Sequence, residues 1–309
     1  MKQIVSFVIP VYQNSGSLKI TYNKIIELFR EPLSQYNYEF VFVNDGSNDS
    51  SLQELNELAE LDKQVKIISF SRNFGQLPAI AAGMKYAKAD AAIIMSADMQ
   101  DPPELISEMI NKWQSGSEVV ICNRRERDDD WLSEATSNVF YSIMKKLIKN
   151  MPEGGVDFIF LSRKAIDQYN KIDERNRFLQ GDILWLGFSV SFIPYQRVKR
   201  LEGKSQWTIS KKVKYFIDGI LNTSYLLIRA MSLTGLFVSI VGFLFSFVVI
   251  YARIKHQTPF PGYAPIVILL LIIGGFIMIM LGIIGEYIWR IYDETRKRPY
   301  YIIDKTVNI

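Results

Sequence analysis

Two stretches of the chain, residues 231–251 and 265–285, run for 21 residues each without one charged side chain. About 20 consecutive apolar residues carry a helix across the hydrocarbon core of a bilayer. A helix buried in a soluble core rarely goes so long without a polar face. The chain is therefore divided before any motif is considered. Of its 36 basic and 32 acidic residues only eleven lie beyond Ala230, so a charged, water-soluble portion precedes an apolar one that is expected to cross a membrane twice. The apolar run 4–9 is short and stops at Pro10, which predicts a first strand and not a signal peptide. Cys122 is the only cysteine, which excludes an intrachain disulfide and fits a reducing compartment.

Charge around the two spans sets their expected orientation. Lys211, Lys212, Lys214 and Arg229 precede them and Arg290, Arg296, Lys297 and Arg298 follow, against Arg253 and Lys255 between. Both ends are thus expected in the cytoplasm, with the soluble portion on the inner face of the cell membrane and residues 252–264 outside. The net charge of +4 is mild, and no nucleic-acid partner is expected. Between Arg197 and Lys214, however, the basic residues face the single acid Glu202, which suits anionic headgroups. Val213, Phe216, Ile217, Ile220 and Leu221 recur at helical spacing opposite the three lysines, predicting an interfacial amphipathic helix; a helix packed on the soluble domain is the alternative. The expected division is a domain over 1–210, an interface helix over 211–229, a hairpin over 230–290 with spans at about 231–251 and 265–288, and a tail over 291–309.

In the first half, β-rich runs at 4–9, 39–43, 65–70, 91–95 and 118–122 alternate with helical patterns at 16–30, 51–61, 77–87, 102–113 and 133–148. This alternation implies an α/β fold with a mostly parallel, Rossmann-like sheet covered on both faces. In such sheets ligands collect beyond the carboxyl ends of the strands. The polar clusters fall there: residues 10–12, 44–47, 71–75 and 96–101. Asp49, Ser50 and Ser71 read as caps and turns, but four clusters on one edge are more than capping needs, and a binding site is expected.

No G-x-G-x-x-G follows the first strand and no G-x-x-x-x-G-K-[ST] occurs, so dinucleotide and P-loop readings lose their usual support. Asp98 and Gln100, two residues apart in an extended turn, could present oxygens to one point. A hard divalent cation bridging diphosphate oxygens needs few protein ligands, which suggests a metal-bound nucleoside diphosphate.

The series V-I-P-V-Y, V-N-D-G-S-N-D-S, S-R-N-F-G, S-A-D-M-Q-D-P-P-E, G-V-D-F, R-F-L-Q-G and R-x-x-G-K-S, followed by two spans, resembles the polyprenyl-phosphate glycosyltransferases of glycosyltransferase family 2. The resemblance implies a GT-A-type sheet with a C-terminal two-helix transmembrane hairpin. It also implies inverting transfer of a hexose from a UDP-sugar, UDP-glucose first, to a polyprenyl phosphate such as undecaprenyl phosphate, with Mg2+ or Mn2+. By position, Pro10, Tyr12 and Asp45 correspond to walls of the nucleoside pocket. Asp98 and Gln100 match the metal and diphosphate positions, with Ser96 beside them among the cofactor-binding positions, Arg124 a diphosphate or acceptor contact, and Asp157 the proposed base. Arg177, Phe178 and Gly181 match a loop over the donor sugar, and Arg200, Lys204 and Ser205 the loop that receives the acceptor phosphate. Three departures stand out. Ser96 replaces the first acid of D-A-D, Gln13-Asn14 replaces N-E, and Gln206 stands where a lysine usually follows the serine.

Two other readings compete. A processive polysaccharide synthase shares the domain, but Q-x-x-R-W is lacking and two spans are too few for a polymer channel. A silent membrane scaffold would account for Ser96 but not for the retained Asp98, Gln100 and Asp157. His256, the only histidine, lies between the spans and is assigned no role. Ser232, Gly235, Ser239, Gly242 and Ser246 share one helical face, and a homo-oligomer is expected through it, unless that face serves the hairpin itself.

Overall fold

The computed structural model describes residues 2–124, 142–152, 156, 158–196, 217–221, 224, 226–255 and 263–309. They form two units, Met1–Asn222 with Pro299–Ile309, and Thr223–Arg298.

The first unit is built on an eight-stranded sheet in the order β7-β5-β6-β4-β1-β2-β3-β8. Strand β1 (Ile4–Val11) is central. β2 (Asn37–Asn44) and then β3 (Val65–Phe70) lie to one side and β4 (Ala91–Ile94) to the other, all parallel. Beyond β4, β6 (Phe158–Ser162) runs antiparallel to both β4 and β5 (Val119–Arg124), and β5 pairs in parallel with β7 (Val190–Tyr195). The inner strands read as continuous apolar runs because both faces are covered. Phe7, Ile9, Phe40 and Phe42 join one core, while Val8, Val41 and Val43 join the other.

The helices follow from apolar stripes of period 3.6. α1 (Leu18–Arg30) buries Leu18, Thr21, Ile25 and Phe29, and α2 (Ser51–Leu61) buries Leu55 and Leu58. α3 (Gln76–Tyr86) is rich in small residues and lies close on the sheet: a side-chain carbon at Gly83 would come within 2.4 Å of Val8 Cγ1. α4 (Leu105–Gln114) starts three residues later than the sequence suggests, because Pro102 and Pro103 form a turn whose carbonyls accept from Leu105 and Ile106 N–H. Two short helices, α5 (Arg163–Tyr169) and α6 (Leu179–Trp185), lie between β6 and β7. Of the helical pattern at 133–148, the first part lies outside the described residues, and 142–147 are helical.

Residues 299–309 are not a loose tail. Tyr301 stacks on Phe70 with ring centroids 5.0 Å apart, and β8 (Ile303–Val307) adds to the edge of β3 in antiparallel register. Asn308 Nδ2 then donates to the carbonyls of Ala59 and Val65 at 3.0 and 2.9 Å. Its I-D-K-T-V run is half polar because it is an edge strand, which obscures it in the sequence.

The second unit contains α7 (Leu226–Ile254) and α8 (Tyr263–Thr295), both longer than the predicted spans. Ile228–Phe245 and Ile272–Thr295 are long and apolar enough to cross a membrane. Of the expected interface helix, residues 217–221 are helical, and Ile220 packs on the sheet's core. Its remaining turns over 211–216 lie outside the described residues.

Candidate active site

The chain leaves β1 toward β2 and β3 on one side and returns to β4 on the other. At such a switch point the loops diverge and leave a crevice beyond the carboxyl ends of the strands. Every turn at that edge is braced by side chains of its neighbours.

The β1–α1 loop is pinned to the start of α2. Tyr12 N–H donates to Asn14 Oδ1 at 2.9 Å, Gln13 N–H to Ser47 Oγ at 3.1 Å, Asn14 N–H to Ser51 Oγ at 2.9 Å, and Gly16 N–H to Glu54 Oε1 at 2.7 Å. Asp49 serves as a brace, as its reading as a cap predicts: its carboxylate accepts from Ser51 and Ser15 N–H. Burial alone would raise the Asp49 pKa, but the hydrogen bonds from Ser51 bring it below the usual carboxylate range. Pro10 lies within β1 opposite Val43, and Tyr12 stands half-buried just beyond the strand.

Asp45 follows β2 and is buried. Its backbone N–H donates to Val11 O at 2.8 Å, while its carboxylate accepts from Phe74 and Gly75 N–H at 2.6 and 2.9 Å. It therefore joins the ends of β1, β2 and β3 into one wall. Gly46 makes the approach possible. Its φ is +67°, and a side-chain carbon there would sit 2.5 Å from the Arg72 carbonyl carbon, a contact no other residue avoids.

The fourth turn carries Asp98 and Gln100. Ser17 Oγ and Thr21 Oγ1 of the α1 start donate to Ala97 O at 2.8 and 3.3 Å. Gln100 N–H donates to Asp98 Oδ1 at 3.3 Å, and Met99 between them has φ +58°. A long side chain seldom takes that conformation, and such outliers gather at functional turns. Ser96 is tied to Asp101: its N–H and its hydroxyl donate to Asp101 Oδ2 at 3.0 and 2.5 Å. The other Asp101 oxygen accepts from Tyr195 Oη at 2.9 Å.

No group of three or more His, Cys, Asp or Glu side chains gathers among the described residues. Asp98 and Gln100 supply oxygen donors of the kind a hard divalent cation takes, and such a cation needs few protein ligands.

Arg177, expected in a loop over the donor sugar, is packed into the domain. It is buried, its Nε donates to Asp182 Oδ2 at 3.0 Å, and its guanidinium lies 4.2 Å from the Tyr169 ring centroid. Burial pushes the Tyr169 hydroxyl up to about 12, so the ring beneath the cation stays neutral. Tyr300, on the segment leading to β8, is close enough to feel Arg177, and burial raises its pKa also. Phe178 and Gly181 are buried with Arg177. Arg124, at the end of β5, is half-buried and registers with Tyr195. Asp157, Arg200, Lys204 and Ser205 lie outside the described residues. Asp101 and Tyr195 are the members of the site that motif reading misses, although Asp101 lies inside the polar run at 96–101.

A doubly wound sheet with an acid–amide turn after β4, followed later in the chain by two apolar helices, is a fold of GT-A type. The chain belongs to Glycosyl transferase family 2, which matches residues 6–170. It is 38% identical over 306 residues to the uncharacterized glycosyltransferase YkcC of Bacillus subtilis (strain 168), covering 98% of this chain and 94% of the relative. It is 36% identical over 304 residues to the SfII prophage-derived bactoprenol glucosyl transferase of Shigella flexneri, covering 98% of each. Among solved structures, mannosyl-3-phosphoglycerate synthase from Rubrobacter xylanophilus matches with a TM-score of 0.51 at 12% identity, over 84% of this chain and 77% of that one. That last likeness is one of fold.

Proposed function

We propose that this glycosyltransferase moves a hexose, glucose first among candidates, from a UDP-sugar to a polyprenyl phosphate such as undecaprenyl phosphate, with inversion. The observation that carries the reading is the reach of the similarity. It extends past the sheet and through the hairpin to a relative that is a bactoprenol glucosyl transferase, over 98% of both chains. A substrate whose tail stays in the bilayer requires an enzyme held at the membrane, and α7 and α8 meet that need by length and composition.

In the reaction a phosphate oxygen of the lipid bonds to the anomeric carbon as the bond from that carbon to the diphosphate breaks, releasing UDP. A phosphate monoester has its second pKa near ~6 and is mostly ionised at neutral pH. The nucleophile thus needs little help from a base, and Asp157 orients the sugar or stabilises positive charge on it. Two like-charged phosphates must approach, and Arg124, Arg200 and Lys204, with the Ser205 hydroxyl, offset that repulsion. Pro10, Tyr12 and Asp45 wall the nucleoside. Asp98 and Gln100 would hold a divalent cation, Mg2+ or Mn2+, which when bound would neutralise charge on the departing diphosphate.

The hairpin leaves and re-enters the same folded unit, so both its ends belong on one face of the membrane. The basic residues flanking it support a cytoplasmic position for that face. The small face of α7 divides. A methyl group at Gly235 would lie 3.5 Å from Met280 Cε of α8, whereas at Gly242 it would meet no described atom within 4 Å. We propose that a second copy of the chain packs at Gly242.

Membranes containing the protein, given labelled UDP-glucose, UDP-galactose and GDP-mannose in turn and then extracted, should yield one acid-labile sugar-phosphate lipid, with UDP-glucose as donor. A polymer in place of the lipid, or no labelled product with any donor, overturns the proposal.

A further inference from the structure

We propose that Asp101, through Tyr195, is a positioning residue that holds the turn carrying Asp98 and Gln100 against the end of β7. The inference rests on the function proposed above. Asp101 is fully enclosed, and an enclosed carboxylate is tolerated only where donors meet its oxygens. Its donors come from both sides of the site: Ser96 N–H and Oγ on one oxygen, and Tyr195 Oη, 94 residues away in the chain, on the other.

Each partner belongs to a segment that carries expected site residues. Ser96 opens the turn that presents Asp98 and Gln100, and Met99 within it is held at φ +58°, a shape that a free loop would relax. Tyr195 ends β7, from which the chain enters the segment containing Arg200, Lys204 and Ser205. The Tyr195 ring meets the edge of Phe158, with centroids 6.5 Å apart, and Phe158 follows Asp157 directly. Tyr195 also registers with Arg124 on β5. The turn carrying Asp98 and Gln100 and the end of β7 therefore share one hydrogen-bonded pair, and the Phe158 ring at the start of β6 packs beside it.

The arrangement also gives Ser96 a reason. A hydroxyl can donate to Asp101, and an ionised carboxylate at that position cannot. Where the family resemblance leads one to expect an acid for the cation, this chain has a donor for the brace.

The test uses the full-length protein in detergent and compares Tyr195→Phe and Asp101→Asn with wild type. The measurements are melting temperature, Mn2+-dependent UDP binding, the Mn2+ concentration for half-maximal activity, and kcat with KM for each substrate. Tyr195→Phe removes one oxygen on the acceptor side. It should melt as wild type and bind UDP with Mn2+ within about threefold, yet lose about tenfold in kcat, since small displacements of aligned groups cost rate more than affinity. Asp101→Asn frees the donor turn and should in addition raise the Mn2+ concentration needed for half-maximal activity. Unchanged kcat in Tyr195→Phe, or a loss matching the fraction of unfolded protein, overturns the inference. Should Asp101→Asn fail to fold, Tyr195→Phe decides alone. A wild type that binds UDP but transfers no sugar to lipid refutes the proposed function, and the inference then stands or falls on whether Asp101→Asn shifts Mn2+-dependent UDP binding. A wild type that does neither overturns both.

Discussion

The sheet domain and the helical pair use the same apolar side chains toward opposite ends. Phe7, Phe40 and Phe42 in the sheet expose nothing, and the rings of Phe7 and Phe40 lie stacked 5.3 Å apart. Phe243 and Phe245 in α7 are 65% and 52% exposed, and Met278 in α8 is 69% exposed. In the domain, burial against other side chains supplies the stabilisation, about 25 cal/mol for each Å² of apolar surface removed from water. In the helical pair that surface stays exposed, as lipid, which is as apolar as the side chains themselves, would allow. Polar groups follow the same division. Those of the domain concentrate in turns beyond the carboxyl ends of the strands, whereas Ser232 and Thr234 of α7 turn their hydroxyls to their own helix's carbonyls. Substitutions should therefore act on chemistry or folding in one unit and on association in the other.

The largest effect is expected at Asp98. Asp98→Asn removes the carboxylate from the donor turn and should lower turnover by on the order of 100-fold, as should excess chelator on the wild type. Full turnover in either case would dismiss the cation from the mechanism. Next is the fold of the site itself. Gly46→Ala forces a side chain onto the Arg72–Asn73 backbone at a positive φ, with an expected loss of about 3 kcal/mol in denaturant unfolding. A loss under about 0.5 kcal/mol would show that the two loops part easily.

A smaller effect tests whether the last residues belong to the domain. Tyr301→Ala removes the ring stacked on Phe70 and should cost about 2 kcal/mol, with membrane insertion unchanged. If the melting temperature does not move, β8 adds little to the sheet. The smallest effect on stability is expected at Gly242→Leu. UDP binding and melting should be unaltered while the detergent-solubilised mass shifts toward monomer, because loss of a small residue prevents close helix contact. An unchanged mass, or a monomeric wild type by crosslinking, assigns the small face of α7 to the hairpin alone.

The parts legible in the sequence were those with a short-range signature. The uncharged windows foretell α7 and α8, and the first three strands and helices emerge within a few residues of their observed ends. The four polar clusters fall at the carboxyl edge, as alternation of strand and helix requires. The less legible parts have weak local signatures. β8 is five residues of half-polar edge strand, and Arg177 sits in a motif that suggests ligand contact but is folded inward against Asp182 and Tyr169.

By itself, then, the sequence determined that a two-faced α/β sheet precedes two apolar helices, and which turns carry acids and amides. Periodicity and charge act over one or two turns of chain, and a single chain displays them. Only the tertiary structure decided that Ser96 donates to Asp101, that Tyr195 reaches Asp101 across 94 positions, and that the final strand returns to β3. Those pairings depend on which strands become neighbours, and strand order is set by how both faces of the sheet are covered at once, a property no local window contains.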